Sequence, residues 1–64
     1  MNLTEREVLI LQLRADGENY ISIADRTGTT PGTIRNRTRG IFDKLGADDM
    51  THAVATALRK GIIK

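Results

Sequence analysis

Arg35, Asn36 and Arg39 are the residues of this chain whose types and spacing best suit specific chemistry. They lie one and three positions apart, so a helix presents all three on one side. An arginine offers a planar fork that matches O6 and N7 of guanine, and an asparagine amide matches N6 and N7 of adenine. Thr29, Thr30 and Thr33 precede or open the same segment. Hydroxyls and free amides at a helix start suit phosphate oxygens, so these three are expected to meet a nucleic-acid backbone. Arg37 and Lys44 fall off the side that carries Arg35 and are expected to clamp phosphates on either flank. The set points to double-stranded DNA as a partner, with a solvated charged helix face as the competing explanation.

Other chemistries lack their residues. The 64-residue chain has no Cys and one His, His52, so thiol catalysis and Cys-based metal sites are absent. A lone His cannot hold a metal, and no cofactor or metal is expected. The carboxylates are scattered over charged stretches, with no nucleophile, base and orienting group together, so an enzyme is not expected. Glu7 has a ready structural task as a capping partner, and Asp25 reads as a surface residue. The N-terminus lacks a signal-peptide pattern, and no apolar run nears the ~20 residues of a membrane span. The expected location is therefore cytoplasmic.

The formal net charge of +2 says little, but its distribution says more. Residues 1–30 carry Arg6, Arg14 and Arg26 against Glu5, Glu7, Asp16, Glu18 and Asp25, a net of −2. Residues 31–47 carry Arg35, Arg37, Arg39 and Lys44 against Asp43, a net of +3. Positive charge is thus focused on one element, as a nucleic-acid reader requires.

Four helices must position these groups, and the fold class is all-α: a four-helix bundle containing a helix-turn-helix. Thr4 and Glu7 form a capping-box pattern that opens the first helix. Leu3, Glu7, Ile10, Leu11 and Arg14 share a face of it, with Leu13 nearby, and Asp16-Gly17 closes it. A short second helix covers Tyr20–Thr27, starting at Asn19 or Tyr20, with Ile23 and Ala24 inward and Tyr20 and Thr27 beside them. Gly28-Thr29 breaks it. Thr30-Pro31 restarts helix, with Thr suited to the N-cap and Pro to the first helical position. In this third helix, Pro31–Leu45, Ile34, Thr38, Ile41, Phe42 and Leu45 face inward. Arg35, Asn36, Arg39 and Asp43 face out. Gly46 stops it. Thr51 is the expected cap of a fourth helix over residues 51–60, with Ala53, Val54, Ala57 and Leu58 on one side. Gly61 ends that helix, and Ile62-Ile63 form a hydrophobic tail. A short helix, a tight turn and a longer basic helix make a helix-turn-helix, whose second helix lies in the major groove.

On these residues the chain resembles the LuxR-type helix-turn-helix domain of bacterial regulators. The resemblance rests on Leu3-Thr4-x-Arg6-Glu7, Ile10-Leu11, Ala15-x-Gly17, Ile23-Ala24-Asp25-Arg26 and Gly32-Thr33-Ile34-Arg35-Asn36. It continues through Ile41-Phe42-x-Lys44-Leu45-Gly46, Thr51-x-Ala53-Val54 and Ala57-Leu58-Arg59-Lys60-Gly61-Ile62. It covers nearly the whole chain, which reads as one domain over residues 1–64. It implies a sequence-specific transcriptional regulator with base contacts from Arg35, Asn36 and Arg39. It implies backbone contacts from Tyr20, Thr33 and Arg37. It also implies a homodimer on DNA through the fourth helix, which falls on Thr51, Val54, Ala55 and Leu58. The Met1-Asn2 start favours a stand-alone regulator over a fragment of a longer one.

The departures from the family pattern carry further expectations. Thr27, Thr29 and Thr38 replace aliphatic residues, which predicts a thin core. Arg14 replaces a core aliphatic and is expected to snorkel outward while its stem covers apolar surface. Gly40 sits inside the third helix at a cost of ~1 kcal/mol relative to Ala. Val8, Leu9 and Leu13 suggest an apolar strip on the first helix that suits a protein partner. That strip keeps open a second function, a protein-interaction adaptor or antagonist that pairs with a larger regulator. A sigma region-4-like promoter module is a related alternative.

Overall fold

The structure is a computed structural model and describes residues 2–64. Thr4 stands in extended conformation ahead of α1 (Glu5–Ala15), and its hydroxyl accepts the Glu7 N–H at 3.1 Å. The Glu7 carboxylate accepts the Thr4 N–H at 2.8 Å, which completes the capping box. Asn19 caps α2 (Tyr20–Thr27) by accepting the Ser22 N–H at 2.9 Å. Thr30 caps α3 (Pro31–Leu45), where Pro31 supplies the first helical residue and lacks the N–H that would go unpaired there.

Gly28 ends α2 at φ 69°, a left-handed conformation that costs glycine no Cβ clash. The Thr29 N–H then reaches back to the Ala24 carbonyl at 2.9 Å, so the chain turns sharply into α3. Gly46 does the same after α3, with φ 65° and the Ala47 N–H on the Phe42 carbonyl at 2.9 Å. The expected helix-turn-helix is thus built from α2, this three-residue turn and α3.

The fourth helix corrects the sequence reading at its start. Asp49, not Thr51, is the cap, and α4 spans Met50–Arg59. The Asp49 carboxylate accepts the His52 N–H at 2.8 Å, and the His52 Nδ1 accepts the Asp48 N–H at 3.2 Å. Aspartate caps at least as well as threonine, and the earlier start lets Met50 pack against the core. Thr51 lies within the first turn, exposed.

The core gathers Ile10 and Leu11 of α1, Ile23 and Ala24 of α2, Ile34 and Ile41 of α3, and Ala53 and Ala57 of α4. The two alanines let α4 approach closely. Ile63 folds back into this core, as the tail pattern predicted. Gln12 secures the tail, donating to the Lys64 carbonyl at 2.9 Å and accepting the Lys64 N–H at 3.0 Å.

The polar residues that promised a thin core are satisfied locally. Thr38 is buried and donates to the Arg35 carbonyl at 2.6 Å, and Thr27 donates to the Ile23 carbonyl at 2.8 Å. Among the described residues no buried side-chain nitrogen or oxygen lacks a partner. Arg14 does not run out to open solvent. It is half-buried, and its Nη1 donates to the Glu18 carbonyl at 3.1 Å, which ties α1 to the turn before α2. The strip on α1 also narrows: Val8 and Leu13 pack against the core, and of the three only Leu9, 45% exposed, faces solvent.

Candidate nucleic-acid interface

The outer face of α3 follows from its inner one. Burying Ile34, Thr38 and Ile41 at helical spacing turns Arg35, Asn36, Arg39 and Asp43 outward, and all four are exposed. Arg37 is also exposed, on the flank. Among the described residues, the side chains of Asn36, Arg37 and Arg39 form no hydrogen bond or ion pair within the chain. Exposed cations without protein partners remain available to an anion.

The three threonines gather at the opening of α3. The Thr30 hydroxyl accepts the Thr33 N–H at 3.3 Å, and the two hydroxyl oxygens lie 3.0 Å apart. Thr30 is exposed, while Thr29 and Thr33 are half-buried beside it. The positive end of the α3 dipole adds to this anion-favouring corner.

Tyr20 joins the same region from α2. The Arg35 guanidinium carbon lies over the Tyr20 ring, 5.6 Å from its centroid, inside the range of a cation–π contact. The sequence placed Tyr20 only by family resemblance and gave no sign of this pairing. Fifteen positions separate the two residues, and only the turn at Gly28 brings the start of α2 beside the first turns of α3.

Lys44 stands apart from the other cations. Its ammonium donates to the Glu7 carboxylate at 2.7 Å, and the Glu7 side chain is largely buried between α1 and α3. Burial pushes the Glu7 carboxyl upward. The hydrogen bond from Lys44, the Thr4 N–H and the charge of Lys44 outweigh burial and hold the group below the ordinary carboxylate value. Glu7 therefore keeps its charge, and Lys44, with its side chain 35% exposed, spends one of its three N–H donors on this structural partner. Gly40 lies on this same seam: a Cβ there would sit 3.5 Å from the Glu7 Oε2, an ordinary contact with a side-chain tip.

The residues assigned to a dimer contact form one side of α4. Thr51 is exposed, Val54 and Ala55 are half-buried, and Leu58 is 46% exposed. No group of three or more His, Cys, Asp and Glu side chains that could hold a metal occurs among the described residues. No helix among them is long and apolar enough to cross a membrane.

Comparison with known proteins places this geometry. A family model of bacterial regulatory proteins, luxR family, matches residues 1–57. The chain is 41% identical over 61 residues to the transcriptional regulatory protein YdfI of Bacillus subtilis (strain 168), covering 95% of this chain and 29% of that protein. It is 37% identical over 62 residues to the transcriptional regulatory protein DesR of the same organism, covering 97% and 31%. It is 32% identical over 62 residues to the transcriptional regulatory protein DegU of Brevibacillus brevis, covering 97% and 26%. The chain spans less than a third of the length of these curated relatives. No solved structure matches it.

Proposed function

The chain belongs to the luxR family of bacterial regulatory proteins, and on that premise we propose that it regulates transcription by binding DNA sequence-specifically, with α3 in the major groove. The observation that carries the proposal is the outer face of α3, where Arg35, Asn36 and Arg39 project together behind a helix-turn-helix. In this reading the three side chains contact base edges, and the two arginines favour guanine and the asparagine adenine. Tyr20, Thr29, Thr30, Thr33 and Arg37 contact the phosphate backbone and set the register of α3 in the groove. Lys44 joins them with the N–H donors that Glu7 leaves unused, and its ion pair with Glu7 makes it the weakest of the backbone contacts.

Two copies are proposed to bind paired half-sites through Thr51, Val54, Ala55 and Leu58 of α4. The exposed Leu58, next to Val54 and Ala55, is what supports this. Residues 1–64 act as one DNA-binding domain. The relatives are named as transcriptional regulatory proteins, and the chain is a regulator's domain rather than an enzyme. A function on bacterial DNA is one carried out in the cytoplasm, and that is the location proposed for the chain.

Binding selection from a random DNA library tests the proposal. A recovered consensus with two half-sites at fixed spacing is expected. The logarithm of the affinity for it should fall linearly with the logarithm of salt concentration, as counterion release requires. No enriched sequence, or an affinity indifferent to salt, would overturn it.

A further inference from the structure

Tyr20 does more than its place at the start of α2 requires. It is the first residue of a helix that Asn19 caps, and it packs against the core, so its ring is held by the fold. The Arg35 guanidinium lies over that ring, 5.6 Å from the centroid. Arg35 is otherwise a long, exposed side chain with many rotamers, and among the described residues its guanidinium has no other partner. We propose that the Tyr20 ring is the positioning platform for Arg35, and so sets base specificity from outside the recognition helix.

The physics favours a platform over a trap. A cation–π contact attracts the guanidinium as a whole and takes up none of its N–H donors with an acceptor, so they remain available to a bidentate partner. The contact therefore limits the swing of Arg35 without consuming the donors that read a guanine edge. Less rotamer freedom is then lost when the base contact forms, and an off-target base is met by the same fixed fork in the wrong register. The Tyr20 hydroxyl is free of any hydrogen bond within the described residues, and so can donate to a phosphate. One side chain thus couples backbone anchoring to base reading, the hydroxyl serving the first and the ring the second. The inference rests on the DNA-reading function proposed above.

The two halves of Tyr20 separate by substitution. Tyr20→Phe keeps the ring and removes the hydroxyl, while Tyr20→Leu keeps apolar bulk against the core and removes the aromatic face. Thermal melting of both checks that they fold. The selection experiment is repeated with each, and Arg35→Ala identifies the base pair that Arg35 reads. Tyr20→Phe is expected to weaken binding evenly over all sequences and to leave the preference at that base pair intact. Tyr20→Leu is expected to lose about two- to fivefold of the preference there, the worth of an exposed cation–π contact, and to leave other positions unchanged. In the free protein, the Arg35 Nε–H resonance should move in Tyr20→Leu and hold in Tyr20→Phe. Full preference in Tyr20→Leu, or equal loss in both variants, overturns the platform. The unaltered chain showing no base preference at all overturns the DNA-reading function, and this role with it. That outcome is recognised without any Tyr20 variant.

Discussion

On the side of α3 that meets α1, the single cation Lys44 holds Glu7 at 2.7 Å, and Glu7 in turn serves the Thr4 cap. On the side turned away from the bundle, Arg35, Asn36 and Arg39 share an exposed face, with Arg37 exposed on the flank, and none of the arginines has a carboxylate partner among the described residues, Asp43 lying further along. The two sides have similar residue types and opposite tasks. Where charge closes a seam, it is neutralised, half-buried and tied into a helix cap. Where charge is proposed to serve recognition, it is left unpaired and solvated, open to a partner from outside the chain. A formal charge count cannot distinguish these cases, because it gives Lys44 and Arg39 the same weight.

Substitutions across the two sides test how separate they are. The largest effect is expected from Ile41→Ala on the inner side, which should remove ~2–5 kcal/mol of stability by leaving a cavity in a small core. Arg39→Ala on the outer side should change stability by less than ~0.5 kcal/mol. Urea denaturation of both variants checks this, and equal losses would erase the distinction.

Next comes the seam. Glu7→Ala should cost about 2–3 kcal/mol, between the loss of a cap and the breaking of a fully buried ion pair, because Lys44 can turn to solvent once freed. Since the Glu7 carboxyl titrates below its ordinary value in the folded chain, its contribution is complete above that ordinary value. It is lost as pH falls through the lower folded value. The stability of the wild type should therefore fall as pH drops below the ordinary carboxylate value, and Glu7→Gln should flatten that dependence. An unchanged pH profile in Glu7→Gln would show that other carboxylates govern it.

On the outer side, Arg35→Ala and Arg39→Ala should each relax base discrimination by roughly 1–3 kcal/mol at one position. Arg37→Ala should weaken binding evenly and reduce the salt slope by about 1. Quantitative binding to matched and mismatched sites separates the two classes, and identical behaviour of all three variants would dissolve the reading face. The smallest effect is expected at Gly40. A Cβ there meets only the Glu7 carboxylate at contact distance, so Gly40→Ala should stabilise α3 by up to ~1 kcal/mol. A fall in melting temperature would show that the seam has no room to give.

The exposed face of α3 that carries the candidate site is legible in the sequence because it is local. The spacing of Ile34, Thr38 and Ile41 places Arg35, Asn36 and Arg39 on the far side of any helix they share, whatever packs against it. Thr4 with Glu7, Asn19, and Thr30-Pro31 announce helix starts through contacts only three residues long. The start of α4 is less legible, because two neighbouring residues could serve. Asp49 and Thr51 are both good caps, and the choice between them depends on whether Met50 finds a place on the core.

Short-range periodicity and capping are enough to specify the four helices and the outward set of cations. Which side chains those cations meet within the chain is set by how the helices pack. Glu7 and Lys44 lie far apart in the chain, as do Tyr20 and Arg35, and no spacing rule relates either pair. The close packing of α1 on α3 hands Lys44 to Glu7, and the tight turn after α2 sets Arg35 over Tyr20. Such pairings depend on how helices dock, and docking is settled by the whole core rather than by any one segment.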